Sequence, residues 1–450
     1  MQQQLGNDFD SFVRSLDTPS PVSIRINPYK TDKIPDLTRV PWSTTGFYLP
    51  ARPSFTLDPL FHAGVYYVQE PSSMFVEQVL KQHSERETGR RILDLCAAPG
   101  GKSTHILSLI GATDLLVSNE VIRQRSQILA ENVSKWGQPN NIVTCNDPSA
   151  FGKLKSFFDI ILIDAPCSGE GLFRRDAKAM DEWSVDNTRL CTQRQQRIIA
   201  DVWDSLSDNG ILIYSTCTYN PGENEDNLQW ISQNYDVEFL SLEIPAEWGI
   251  HEIRKGECVG YSFMPHRTQG EGFFLSAIRK RGSELRANPF KDKRPVYSLA
   301  DKKYRSEAAS WLSQSDEYTL IQKEDTLYLF PEEMLPVLNT LNKILYPIKT
   351  GTSVSEVKAK NLLPTHELAL SSFLNKAAFP TLEVDLETAL HYLRRDEIKP
   401  HTSKNGLNLL TYEGYSFGWI KNLGNRSNNL YPKEWRIRME IPNKNDREIK

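Results

Sequence analysis

At 450 residues, 39% apolar and 24% charged, the chain is too long for one compact core and predicts a soluble globular protein of several domains. A formal net charge of −4 excludes a uniformly cationic coat while leaving room for local basic patches. No run of about eighteen apolar residues could span a membrane. The opening MQQQLGNDFDSF has neither the basic nor the apolar region of a secretory leader. Six cysteines without a CxxC pair or a zinc-like Cys/His spacing predict a reducing cytoplasm and no metal site.

The first eighty residues predict a short helix, a strand at PVSIRI and a Pro- and aromatic-rich stretch through VPWSTTGFYLPARP, a small unit over residues 1–80. From Arg91 the pattern changes. RILDLC, DLLVSNE, FDIILIDAP and GILIYSTC are apolar runs of strand length ending in small or polar residues, with helical patterns between them. In CTQRQQRIIADVWDSLSDNG, Ile198, Ile199, Val202, Trp203 and Leu206 recur at helical spacing, and Gly210 is expected to close the helix. Continuous apolar strands alternating with helices predict an α/β core over residues 81–282, with a mostly parallel sheet covered on both faces. RKRGSELRANPFKDKRP has no apolar period and predicts a linker, followed by a hairpin at YTLIQKEDTLYLF and a helix around PEEMLPVLNTLNKIL, over 283–362. The last unit, 363–450, begins with helices and ends in short strands. Two regions are basic: ten Lys/Arg against three Asp/Glu from Arg279 to Arg305, and ten against five from Lys399 to Lys450. For each alone, a solvated surface is the default.

In an open parallel sheet, ligands bind beyond the carboxyl ends of the strands. The first strand runs into LDLCAAPGGKSTHIL, where small residues let backbone approach a ligand and the following helix presents unpaired N–H groups. With Ala98 at the first glycine position this is not a Walker loop, and it is not GxGxxG. The second strand ends at Glu120, about twenty residues on, where nucleotide-binding sheets place an acid for ribose hydroxyls. Asp147 ends the third, where an acid is otherwise a helix cap. Three such loops in succession predict a shared adenosine-type pocket.

DAPCSG and STCTY end consecutive strands, so Cys167 and Cys217 are expected side by side over that pocket, with Asp164 nearby. A free cysteine is ordinarily a small core residue, but both sit among polar and turn residues at the functional edge. Methylation of cytosine at C5 has need of this set. A thiolate adds at C6, an acid protonates N3, and a further acid–base group serves when the C5 proton leaves.

Through YYVQEPSSM, DLCAAPGGKS, DAPCSGEGLFRRD, YSTCTYNPGENE and HRTQGEGFFLSAIRK, the chain resembles the Sun-type (Nol/Nop/Sun) RNA 5-methylcytosine methyltransferases from about Tyr66 to Lys280. PVSIRINPYK is similar to that family's N-terminal substrate-positioning domain. LLTYEGYSFGWIKNLGNR and LYPKEWR are similar to the PUA-like region of its RsmF-type ribosomal RNA subgroup. The resemblance implies a Rossmann-like class I methyltransferase core using S-adenosyl-L-methionine, held by Cys96, Ala97, Ala98, Pro99, Gly100, Gly101 and Lys102 with Glu120, Asp147 and Asp164. It implies Cys217 as nucleophile, Cys167 in product release, Asp164 at both base and cofactor, and an arginine, Arg174 or Arg175, at the site. DNA cytosine methyltransferases use the Pro-Cys thiol as nucleophile, so the chemistry alone leaves the two thiols open. The implied partner is RNA, ribosomal or within the small ribosomal subunit, with a monomeric enzyme in the cytoplasm and no membrane. Lys421, Arg426, Lys433, Arg436 and Arg438, with Tyr431 and Trp435 among them, are candidate RNA contacts. A transfer-RNA methyltransferase with the same chemistry and a non-catalytic ribosome assembly factor stand as alternatives.

Overall fold

The computed structural model describes residues 1–84, 88–283, 286–290, 293–398 and 404–441. Among the basic residues counted above, Lys291, Lys399, Lys444, Arg447 and Lys450 lie outside the described residues.

The apolar runs form strands because neighbouring side chains face opposite layers of the core. Leu93, Ile161, Ile163, Leu212 and Tyr214 belong to one apolar cluster, while Ile92, Ile160, Leu162, Ile211 and Ile213 belong to another across the sheet. The strands are β1 (Arg91–Asp94), β2 (Leu115–Asn119), β3 (Asn141–Thr144), β4 (Phe158–Asp164) and β5 (Leu206–Thr216), all parallel, in the order β3-β2-β1-β4-β5. The order reverses between β1 and β4, which puts the crevice of the sheet at the ends of those two strands. Helices α1 (Gly101–Leu107), α2 (Arg123–Trp136) and α3 (Val185–Trp203) connect them.

The parallel strands form the middle of a ten-stranded mixed sheet. Beyond β5, Phe273–Lys280, Cys258–Phe263 and His251–Lys255 pair antiparallel in turn, and Val237–Phe239 joins the first of these. At the other edge Pro347–Thr350 pairs antiparallel with β3. Gly210 does not close a helix. α3 stops at Asp204, and Leu206 already pairs with Phe158 in β5. Gly210 lies where that pairing shifts register, and a Cβ there would stand 2.7 Å from Ser207 O, so the bulge requires glycine.

The N-terminal unit is a three-stranded antiparallel sheet, Gly46–Leu49, Val22–Ile26 and Tyr66–Val68. Its Arg25 is fully buried against the core. The guanidinium donates to Thr104 Oγ1 at 2.6 Å and Gln69 Oε1 at 2.9 Å, and stands 4.3 Å over the Trp136 ring. Burial brings it down to about 9.

The segment 283–362 contributes to the core as well as to a further sheet. Helix Leu335–Ile344 packs Val337, Leu338 and Leu341 into the cluster that holds Phe151 and Phe158. The predicted hairpin, Tyr318–Lys323 with Thr326–Pro331, lies in a five-stranded sheet with Thr352–Lys358 and Asn361–Pro364. The final unit is a four-stranded sheet, Thr381–Glu383, Gly406–Tyr412, Tyr415–Asn422 and Ser427–Asn429, packed on helix Leu386–Arg394. Tyr431, a candidate RNA contact, is 1% exposed and packs edge-on to His366 and near Tyr392 and Trp435, so it is a core residue. Lys421, Arg426, Lys433, Arg436 and Arg438 are exposed.

Both flanking units grip the C-terminal end of α2. Asn27 donates to Trp136 O at 2.9 Å, Lys30 Nζ to Lys135 O at 2.6 Å, and the Ser372 amide to Gly137 O at 3.2 Å. Carbonyls that a helix end leaves unpaired are thus satisfied from two other units.

Candidate active site

Two adjoining cavities, of about 350 and 510 Å³, lie at the carboxyl ends of the parallel strands. Cys96, Ala98, Asp164, Leu172 and Cys217 line both. The first cavity is completed by Asp94, Gly101, Lys102, Arg175, Phe273 and the Tyr67–Glu70 stretch of the N-terminal unit. The second is completed by Glu120, Ile122, Arg125, Asp147, Cys167, Arg194 and Arg197.

Cys217 follows β5 and Cys167 follows β4, so parallel pairing of these strands brings the thiols together, with Sγ atoms 2.9 Å apart. The Cys217 amide donates to Cys167 Sγ at 3.3 Å. The bond to Cys217, then burial, push the Cys167 thiol well up. Behind Cys217 two GEG stretches meet: the Gly171 amide donates to Cys217 O at 2.8 Å, and a Cβ on Gly272 would stand 2.6 Å from Gly171 Cα. Two bare backbones cross where neither could carry a side chain.

Asp164, the last residue of β4, accepts from Ser215 Oγ at 2.8 Å and pairs with Lys102 Nζ at 2.8 Å. Burial alone would lower the Lys102 ammonium. The Asp164 carboxylate outweighs it, helped by Asp94 and Cys217, and holds Lys102 above its ordinary value. Lys102 is therefore a cation at neutral pH although it is half-buried. Cys96, pushed up by burial and then by Asp94, Asp164 and Glu120, stays a thiol.

The loop residues divide by role. Cys96, Ala97, Ala98, Pro99, Gly101 and Lys102 line the first cavity. Gly100 lines neither: at φ 116° it caps α1, and a Cβ there would stand 3.2 Å from Leu129 of α2. From α2, Arg125 donates to Ala98 O at 2.9 Å and Asn132 to Pro99 O at 2.8 Å, fixing the loop. Glu120 is buried at the second cavity, accepts from the Ile122 amide at 2.9 Å and faces Arg125 at 3.4 Å. Asp147 lines the cavity and also caps a short helix, accepting from the Ser149 amide at 3.0 Å and its hydroxyl at 2.6 Å. These bonds hold its carboxyl below its ordinary value. Of the two arginines, Arg174 is buried in an ion pair with Glu271 at 3.1 Å and donates to Gly270 O, whereas Arg175 is exposed and lines the first cavity.

Sequence reasoning missed Asp94. It ends β1 in LDLC, one strand before the acids that were noticed, and is fully buried. Its Oδ2 accepts from Ser103 Oγ at 2.6 Å, while Oδ1 has no partner. Burial pushes it up to about 7, with Ser103 opposing and Asp164 adding. It also missed Gln69 and Glu70. Both stand in the QEPSS stretch and line the first cavity. Glu70 accepts from the amides of Ser72, Ser73 and Glu271 at 2.8–2.9 Å.

The family model described as 16S rRNA methyltransferase RsmB/F matches residues 78–279, the N-terminal domain of 16S rRNA methyltransferase RsmF matches 1–71, and the methyltransferase RsmF PUA domain matches 379–437. Ribosomal RNA small subunit methyltransferase F of Klebsiella pneumoniae (strain 342) is 31% identical, covering 95% of this chain and 92% of its own. The protein of the same name from Psychromonas ingrahamii is 31% identical over 88% of this chain and 85% of its own. Among solved structures, a methyltransferase homolog protein from Pyrococcus horikoshii matches with TM-score 0.52 and 29% identity, over 61% of this chain and 91% of that one. NSun6 from Pyrococcus horikoshii with SFG matches with TM-score 0.53 and 20% identity, over 63% and 97%, a likeness of fold.

Proposed function

Because the chain belongs to the ribosomal RNA small subunit methyltransferase F family, we propose that it methylates C5 of a cytidine in small-subunit ribosomal RNA, with S-adenosylmethionine as methyl donor. One observation carries the reading. Cys217 and Asp164 line both cavities, with Lys102 on one side and Glu120 and Asp147 on the other, whereas Cys167 lines only the second. A nucleophile belongs where base and cofactor meet.

The residues fit that cofactor. Glu120 offers a carboxylate to ribose hydroxyls, the unpartnered Asp94 Oδ1 offers an acceptor to an ammonium group, and Ala97 and Ala98 leave room for close approach. When bound, S-adenosylmethionine supplies a methyl group made electrophilic by its sulfonium.

The chain's own residues do the rest. The cytidine leaves its stack to reach Cys217 where the two cavities meet. The Cys217 thiolate adds to C6, the C5=C6 π electrons shift toward N3, and a proton reaches N3 from the Lys102–Asp164 pair. Lys102 suits this because it carries its proton although half-buried. C5 is then nucleophilic. Once C5 bears the methyl group, a base takes the remaining C5 proton, those C–H electrons restore C5=C6, Cys217 leaves as thiolate, and N3 returns its proton to the Lys102–Asp164 pair. Cys167, touching Cys217, is the acid–base group assigned to that release. The exposed Lys421, Arg426, Lys433, Arg436 and Arg438 would meet phosphates of the RNA around the site.

The test incubates purified, unmethylated small ribosomal subunits and unmodified transfer RNA separately with labelled S-adenosylmethionine. Label at C5 of a ribosomal cytidine is the expected result. Label on transfer RNA alone overturns the ribosomal target, and label on another base atom overturns the chemistry.

A further inference from the structure

Two touching thiols must not both ionise, and something must decide which one does. The two face different surroundings. Cys217 shares a cavity with the Lys102 ammonium, and Cys167 does not. On its far side the Cys167 loop rests on Glu223, whose carboxylate accepts from the Ser168 amide at 3.0 Å and from Gln195 Nε2 at 2.9 Å. Gln195 also donates to Pro166 O at 3.1 Å, so both neighbours of Cys167 in the chain are pinned to this carboxylate.

Glu223 is fully buried, and its Oε1 has no hydrogen-bond partner. Among the described residues no lysine or arginine forms an ion pair with it. A buried carboxylate half satisfied by two amides is costly and contributes nothing to the packing that an uncharged residue would not. Burial raises its carboxyl above the ordinary value, against the bonds from Ser168 and Gln195, and the charge it carries falls on the loop that holds Cys167. From these placements we infer that Glu223 keeps Cys167 protonated in the resting enzyme, so that Cys217 alone of the pair is left to act as nucleophile.

The other groups facing Cys167 fit this division. Cys217 itself opposes ionisation of Cys167 most strongly, and burial comes next. The Cys217 amide works the other way through its bond at 3.3 Å, but it is a single neutral donor. Asp164, on the same strand end, is paired with Lys102, and Tyr214 and Cys191 beside Glu223 are neutral, held up by burial. Arg194 and Arg197 of α3 share the second cavity but are exposed, so water and salt screen them. Glu223 is not screened. The arrangement also has an order in time. When Cys217 becomes bonded to carbon its charge is gone, and Cys167 is released from the neighbour that most opposes its ionisation. The thiol can then lose its proton to water and serve as base. Glu223 is thus a positioning residue for the thiol pair, and this reading rests on the roles assigned to the two cysteines above.

The test needs no RNA. In the full-length Cys217→Ala protein, the rate of Cys167 alkylation by iodoacetamide is followed against pH, with the modified peptide resolved by mass spectrometry. Glu223→Gln in that background should move the midpoint down by about one pH unit, and Glu223→Asp should leave it nearly in place. Superimposable profiles for Glu223 and Gln overturn the inference. If Glu223→Gln fails to fold, Gln195→Lys, which sets a cation against the same carboxylate, should lower the midpoint too, and no shift there counts equally against it. Because the readout is the thiol and not methyl transfer, a chain that never methylates RNA would sink the functional reading while still deciding this one.

Discussion

The crevice of the core sheet and the C-terminal unit carry similar letters, polar residues set among aromatic and basic ones, and use them in opposite ways. At the ends of the parallel strands the fold buries polar groups and leaves them short of partners: Asp94 Oδ1 and Glu223 Oε1 accept nothing. In the C-terminal unit, LYPKEWR looks like a binding surface, yet Tyr431 closes against three other rings. The difference is where apolar area goes. Rings bury readily and cluster, whereas a carboxylate is buried only at a cost that packing does not return. An underpartnered buried acid is therefore the better sign of a site than an aromatic next to an arginine.

Mutations can break that contrast in order of size. Cys217→Ala should lower methyl transfer to small subunits by a factor on the order of a thousand or more and abolish any covalent RNA adduct. A variant that still turns over would remove the residue from the mechanism. Cys167→Ala should instead accumulate a denaturant-stable protein–RNA adduct on gels, because attack survives and release does not. If only free RNA is seen, the two thiols do not divide the work as assigned. Tyr431→Ala should cost about 3 kcal/mol or more in denaturant unfolding, the price of a large buried ring. Were Tyr431 an RNA contact, stability would hold and only RNA affinity would fall.

Asp94 sharpens the contrast through pH. Its folded-state value, about 7, lies above that of an unfolded aspartate, so the folded protein binds this proton more tightly than the unfolded chain. Its contribution is therefore present below about pH 4 and is lost as pH rises toward 7. Asp94→Asn should lack that decline and melt higher than wild type at pH 8, while binding S-adenosylmethionine more weakly by calorimetry. A variant that gains stability and keeps full affinity would take Asp94 out of the cofactor site. The smallest effect is Tyr431→Phe. The buried hydroxyl has no partner, so its loss should change stability by no more than about 1 kcal/mol, in the stabilising direction.

The parallel strands and their terminal residues were legible because each strand is a local apolar run with a turn signal after it. Cys167, Cys217, Asp164 and Glu120 could be set together from strand order alone. What pairs at a distance was not legible. Nothing near Pro347 announces that it will pair with β3, and the helix Leu335–Ile344 shows an apolar face without naming the cluster it enters. Gly210 was misread because glycine ends helices and also fills bulges, and only the register of β5 against β4 separates the two. Asp94 and Glu223 are common letters in common places, and their significance lies in burial, which a sequence does not print.

The grip on α2 has a consequence for anyone wishing to cut the molecule down. Residues 78–279 contain every side chain assigned to the reaction, and an excised fragment of that span looks like a complete enzyme. It would, however, free the helix end now held by Asn27, Lys30 and Ser372, and the same helix clasps the loop through Arg125 and Asn132 at its other turns. The outer units thus brace the helix that holds the loop of the first cavity, and a minimal enzyme made by trimming them would be a slacker one.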